Sequence, residues 1–452
     1  MADLAVADLL SLDRDVGRAF TALDTHRRSL ASDPSSVASD DPFEGLRHVA
    51  GKSTWDALGA LSPSVADVPL RDALRRWVGV FIQARIGLGA ENEWAAQAAA
   101  MQARFGGDAP RMVSWREAWR GVALSRSAAE ARLWLDAAAQ AGPALAAVAT
   151  TRAIRRVEVA NRMGRHDSWE DVVPVSRGAL RDAAWHLLRS TEDLAIAARK
   201  DAREGEDAAS TFFVAAARDA SSGWPARLTP AWLLEAFRGQ PRDSSPRLDA
   251  LPRPAGAASF ARALQQFGFG VRLALGPTSL PFALAREPAF VAAQRYACLF
   301  GALPADPDFH IRVLGTGKSA ARAQARILTR TVLFEARARA ARLLLGDEVA
   351  FAPTDLYAEL TVRLFGSPLD DRLRGAWPAP RDDEPARFVG MLQTWPLRRE
   401  LRERFDVDWF HNPRAWGHLR ELSTGPARET VEEASLITGA GLLARELEEA
   451  LG

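Results

Sequence analysis

Seven histidines and one cysteine are all the imidazole and thiol chemistry that this 452-residue chain carries. The histidines stand at 26, 48, 166, 186, 310, 411 and 418, and no two have the H-x₃-H spacing that puts two imidazoles on one helix face. His411 and His418 come nearest to a pair. Between them Asn412-Pro413 reads as the N-cap and first residue of a helix, which separates their side chains. Cys298 lies on an apolar helix face with no His paired to it in sequence, and reads as core. Leu314-Gly-Thr-Gly-Lys-Ser319 resembles the end of a phosphate-binding loop, but the Gly required five residues before the Gly-Lys pair is Arg312. A turn into a helix N-terminus is the expectation there. No Ser/His/Asp or Cys/His arrangement stands out.

The stretch with a chemical layout is Ala263 to Leu303, ALQQFGFGVRLALGPTSLPFALAREPAFVAAQRYACLFGAL. It reads as two helices joined by a Pro-containing connection. Gln265 and Phe269 are four residues apart and share a helix face, and Gln294 lies on the second helix. In H-E-x-x-H zinc peptidases two His at this spacing bind zinc, the Glu between them is the general base, and a later helix can add a ligand. Here the five positions read Gln265-Gln266-Phe267-Gly268-Phe269. An amide cannot take a proton from water as Glu does, and Phe is no ligand.

With Gly268, Leu280-Pro281-Phe282 and Tyr296-Ala297-Cys298-Leu299-Phe300 all in step, this stretch resembles the M3 metallopeptidases, the thimet oligopeptidase and oligoendopeptidase F group. Its shorter bacterial members run roughly H-E-A-G-H-A, then L-P-F, then T-E-G-Y-A-F-L. A second match is Leu401-Arg402-Glu403-Arg404-Phe405, followed by Asp408-Trp409-Phe410 and Asn412-Pro413-Arg414. Together these cover most of residues 256–425. The resemblance places the first ligand His at Gln265, the general-base Glu at Gln266, the second His at Phe269 and the third-ligand Glu at Gln294. It also implies tyrosines near the C-terminus that stabilise the tetrahedral intermediate. The chain has two, Tyr296 and Tyr357, and Arg387 to Trp395 contains none.

The elements expected around this centre are helical. Period-3.6 patterns run over 1–30, 43–60, 68–88, 91–105, 113–123, 127–160 and 176–203, with N-cap signals at Ser114 and Ser127. Further helices are expected at 319–345, 353–365, 386–404, from Asn412-Pro413, and at 428–450. The N-terminal half reads as all-helical. Six prolines between 225 and 254 mark a connection. The resemblance implies a small β-sheet before the zinc helix, yet nothing between Pro241 and Ser259 reads as paired strands. The expectation is therefore a mainly α, M3-like two-lobed fold with a central channel and a reduced or absent sheet. Its parts are an N-terminal helical lobe (1–205), a Pro-rich connection (206–255) and a catalytic-like lobe (256–452). A surviving Gly268 in mid-helix is best explained by close packing against another helix.

Charge is balanced, 58 basic against 57 acidic residues, which gives no footprint for nucleic acid or an anionic membrane. Only Lys52, Lys200 and Lys318 are lysine, and with abundant Ala this Arg bias reflects a GC-rich genome rather than Arg-based recognition. A single Cys excludes an internal disulfide framework. The start, MADLAVADLLSLDRD, lacks the basic and apolar regions of a signal peptide, and no window is apolar enough to span a bilayer. A cytoplasmic protein is expected.

What the resemblance implies is a peptidase homologue without catalytic residues, metal or cofactor. It would act by binding, as the partner of an active M3 paralogue or as a peptide-holding module. Gln265, Gln266, Phe269, Gln294 and Tyr296 are its expected ligand contacts. The alternatives are a structural interaction protein with a filled channel, and an enzyme with metal-free or relocated-metal chemistry.

Overall fold

The structure is a computed structural model that describes residues 6–33, 40–61, 67–106, 109–165, 172–173, 175–201, 207–216, 229–237, 257–346, 354–374, 376–378, 381–425 and 431–451. Its long helices are α1 (Val6–Ser32), α2 (Val68–Ala100), α3 (Trp115–Leu124), α4 (Ala128–Arg162), α5 (Arg177–Ser190), α6 (Ala257–Leu275), α8 (Val291–Gly301), α9 (Lys318–Leu345), α10 (Thr354–Phe365), α11 (Glu384–Phe405), α12 (Pro413–Glu421) and α13 (Glu433–Leu451). The single-turn α7 (Phe282–Ala285) lies in the connection between α6 and α8. Shorter helices at Lys52–Ala60, Glu192–Asp201, Ala208–Ala216, Pro230–Ala236 and Pro307–Arg312 complete the series.

Side-chain caps fix several starts. Ser114 accepts from the Glu117 N–H, Ser127 from that of Glu130, and Asn412 from that of Arg414, with Pro413 at N1. Lys318 opens α9 after an extended Gly317, so the Gly-Lys-Ser stretch is a turn into a helix.

The N-terminal half is not wholly helical. The patterns at 68–88 and 91–105 belong to one helix that ends at Ala100. Beyond it, β1 (Gln102–Phe105) pairs antiparallel with β2 (Arg111–Ser114), Ala103 opposite Val113. The strands are four residues long with little alternation, which is why a helical period seemed to run through them. Among the described residues this is the one sheet. Residues 238–256, where the resemblance implies a small sheet, lie outside those described.

Three large apolar cores hold the helices among the described residues, with a small fourth at Ala261 and Leu328. The largest joins residues from Ala98 to Ala209 with residues from Ala289 to Leu447, so both halves of the chain share it. Buried Arg337 of α9 reinforces this join by donating to the Leu188 and Arg363 carbonyls, Thr191 Oγ1 and Glu192. A second core lies among α1, α2 and the Lys52–Ala60 helix, and takes in Ala283, Phe282 and Phe290 from the connection. The third packs α6 and α8 against Trp409, Phe410 and Trp416. No helix among the described residues is long and apolar enough to cross a membrane.

Candidate functional site: a cleft at the α6–α8 crossing

The α6–α8 pair is held at backbone contact. A Cβ on Gly268 would overlap the Tyr296 carbonyl oxygen and stand 2.8 Å from Phe300 Cδ2. A Cβ on Gly390 of α11 would meet Gln294 Cβ at 2.7 Å and the Arg295 nitrogen at 2.8 Å. Real Cβ atoms do not come this close, so both crossings need glycine.

The connection that leaves this pair is gripped by the N-terminal helices. Buried Asp13 of α1 accepts from the Phe282 and Ala283 N–H groups, both at 2.8 Å, which satisfies the start of α7. Trp77 of α2 donates to the Arg286 carbonyl at 2.9 Å. Phe290 then enters α8 with φ +55, an uncommon value for a bulky residue. Its ring is held by Phe20 at 5.4 Å, Trp77 at 6.4 Å and Phe269 at 5.7 Å.

Contacts, joined by short steps along the chain, lead from Gln265 round to Phe269, four residues away on α6. Gln265 donates to Glu335 of α9 at 3.1 Å, and Arg339, four residues further along α9, donates to the Arg387 carbonyl. Arg387 and Arg381 both bind Asp383. Neighbouring Asp382 binds Arg27 of α1, along with Arg152 and Arg156 of α4. Arg27 is two turns beyond Phe20, whose ring leads through Phe290 to Phe269. The circuit is charged on one side and aromatic on the other.

The charged side is partly exposed: Asp383, Arg387 and Arg381 keep 38%, 28% and 43% of their side-chain surface. Burial would raise the Asp383 carboxyl, but Arg387 and Arg381 outweigh it and hold it at about 2. Burial opposes the Asp382 charge as well, and Arg152, Arg156 and Arg27 hold that carboxyl far below the usual carboxylate range. Cys298, beside Arg339 and Glu335, is pushed up by burial, the behaviour of an inert thiol.

Of the expected contact residues, Gln265 and Phe269 are half-buried and Gln266 is exposed. Gln294, 9% exposed, lies between Phe290 and Cys298 along α8. The amides of Gln266 and Gln294 make no hydrogen bond with other described residues. Tyr296 does not belong with them. It follows Gln294 by two residues, about 200° around the helix. It is fully buried in the third core, where its hydroxyl donates to the Leu419 carbonyl at 2.8 Å and lies 3.1 Å from Ser423 Oγ. Its role is structural.

Zinc takes imidazole, thiolate or carboxylate, and the four matched positions offer three amides and a phenyl ring, so this donor set does not fit the ion. His310, His411 and His418 are each engaged apart from the others. His310 Nε2 is 2.6 Å from the Pro304 carbonyl, His411 Nε2 is 3.1 Å from that of Ala236, and His418 pairs with Glu400. Among the described residues no group of three His, Cys, Asp or Glu is placed to hold a metal. Sequence reading did not find Glu335, Phe290 or the Arg/Asp side, because each joins the site from a distant segment.

No family model and no curated protein matches the sequence. Solved structures do. One is provisionally named an oligoendopeptidase F, from Bacillus anthracis str. Ames. It aligns with TM-score 0.54 and 8% identity over 96% of this chain and 85% of its own. Another, provisionally named a peptidase, from Chlamydophila abortus, aligns with TM-score 0.59 and 10% identity over 90% and 83%. The fold is an M3 oligoendopeptidase fold. Identity this low carries the architecture and leaves the activity to be argued from the site.

Proposed function

We propose that this chain is a catalytically inactive homologue of the M3 peptidases that works by holding a peptide in its cleft. The observation that carries the reading is the M3-like crossing of α6 and α8 with Gln265, Gln266, Phe269 and Gln294 at the positions matched to the zinc motif. Such a crossing has lost general base and metal together and keeps surfaces suited to a peptide. Unengaged amides on Gln266 and Gln294 can bond a backbone, and the ring of Phe269 can take a side chain. The partial exposure of Arg381, Asp383 and Arg387 suits an open cleft better than a filled, purely structural one. A peptide-holding subunit would serve alone or beside an active paralogue, in the cytoplasm.

The test is direct binding. Fluorescein-labelled pentapeptides should raise in anisotropy when the protein is titrated in, with or without added zinc. Phe269→Arg, which projects a charge into the cleft, should weaken binding without lowering the melting temperature by more than a few degrees. Absence of any peptide binding, or binding that needs stoichiometric zinc, would overturn the reading.

A further inference from the structure

A groove of about 1080 Å³ runs along α1. That is just above the roughly 300–1,000 Å³ typical of ligand pockets. Its floor is aromatic: Phe20 and Phe282 lie 5.6 Å apart, centroid to centroid. Behind this floor the rings of Phe290 and Phe269 follow Phe20 at 5.4 and 5.7 Å and pack the groove's back against the α6–α8 crossing.

The charges of this lining are unevenly engaged. Both oxygens of Asp13 are taken by backbone N–H groups, and Asp41 is bound by Arg47 and the Phe43 N–H. Arg286 differs. It is half-buried, and its guanidinium lies 5.9 Å over the ring of Phe282. The side chain makes no hydrogen bond or ion pair with any described residue, and burial alone pushes its pKa down. Arg14, exposed at the rim, is likewise unpaired among the described residues. A cation held partly out of water with no counter-ion is costly unless something supplies the negative charge. Guanidinium is also the group that matches a carboxylate in shape, two N–H donors to two oxygens.

We propose that the groove takes a peptide by its free C-terminal carboxylate, held by Arg286, with the last side chain laid on Phe20 and Phe282. This rests on the reading of the chain as peptide-holding. The chain end lies at Arg286, and the preceding residues lie in the groove along α1, beside Phe20 and Thr21. The apolar floor favours a large apolar last residue. A charge-assisted hydrogen bond contributes about 1.5–3 kcal/mol, so loss of the carboxylate should cost about tenfold or more in affinity.

Fluorescein-labelled pentapeptides ending in Phe, Leu, Ser or Lys, each as free acid and as C-terminal amide, would be titrated against the full chain and read by anisotropy. The free acids ending in Phe and Leu should bind at least about tenfold tighter than their amides. Arg286→Gln should abolish that preference while the amides bind as before, and Arg286→Lys should restore part of it. The Arg286 backbone carbonyl that holds Trp77 is untouched by either change, and an unchanged melting curve checks this. Acids and amides that bind equally well would overturn the inference and leave the peptide-holding reading standing. If no peptide binds in either form, both fall. If N-acetylphenylalanine binds as tightly as the pentapeptides, the groove takes small aromatic acids and the peptide direction is wrong.

Discussion

Replacing Gly268 with Ala tests the crossing on which the cleft is built. In an isolated helix the change stabilises by about 0.5–1 kcal/mol, because Gly loses more backbone freedom on folding. Here the added methyl would overlap the Tyr296 carbonyl oxygen and approach Phe300 Cδ2 to 2.8 Å. The first obstacle is backbone and cannot rotate away, so α6 and α8 must move apart and disturb the third core. Overpacking of this kind costs about 1–3 kcal/mol. With the propensity gain set against it, Gly268→Ala should destabilise by roughly 1–2 kcal/mol. Gly89 is the control. It lies on the exposed side of α2 with nothing within 4 Å of a built Cβ, so Gly89→Ala should stabilise by about 0.5–1 kcal/mol. Urea titrations followed by both circular dichroism and tryptophan emission would give the two midpoints and show whether the transitions coincide. Movement of both midpoints upward would refute the close crossing of α6 and α8.

Asp13→Ala removes two buried hydrogen bonds between α1 and α7, and should lower stability by about 2 kcal/mol in the same titration, with Asp13→Asn milder. Acid sensitivity should follow from Asp382 and Asp383. Their folded pKa values lie below the ordinary value near 3.8, so their stabilisation is complete above pH 4 and is lost as pH falls towards 2. Melting temperatures measured from pH 5 to 2 should fall steeply for the native chain. They should fall less steeply for the Asp382→Asn, Asp383→Asn double variant, which starts from a lower value. Phe290→Ala removes the ring that joins Phe20, Trp77 and Phe269, and should cost about 2–3 kcal/mol of stability. Native-state hydrogen exchange should then accelerate in α7 and the start of α8 before it does in α9.

Much of the fold is legible in the sequence because local signals and packing agree. Ser114, Ser127 and Asn412 are caps where the hydrophobic period begins, and the structure starts helices there. Gly268 is a mid-helix glycine with a neighbouring backbone against it. Local signals fail where long-range geometry decides. The 102–114 hairpin has strands too short to show alternation, and Tyr296 follows Gln294 so closely that only the turn of the helix carries it into the third core. The circuit around the cleft was invisible for the same reason. Arg27, Arg152 and Asp382 lie hundreds of residues apart in the extreme, and nothing in their local sequence says that they meet. Arg286 gives no sequence signal at all; its lack of a counter-ion exists only in the folded chain.

The central claim is that this M3-like cleft holds a peptide and does not cut it. The most direct measurement takes one sample of the protein with an internally quenched pentapeptide and equimolar zinc, and reads binding and integrity together. Anisotropy should report complex formation while mass spectrometry recovers the peptide intact after overnight incubation, with the same result in EDTA. Zinc-dependent cleavage products in proportion to the protein added would contradict the account.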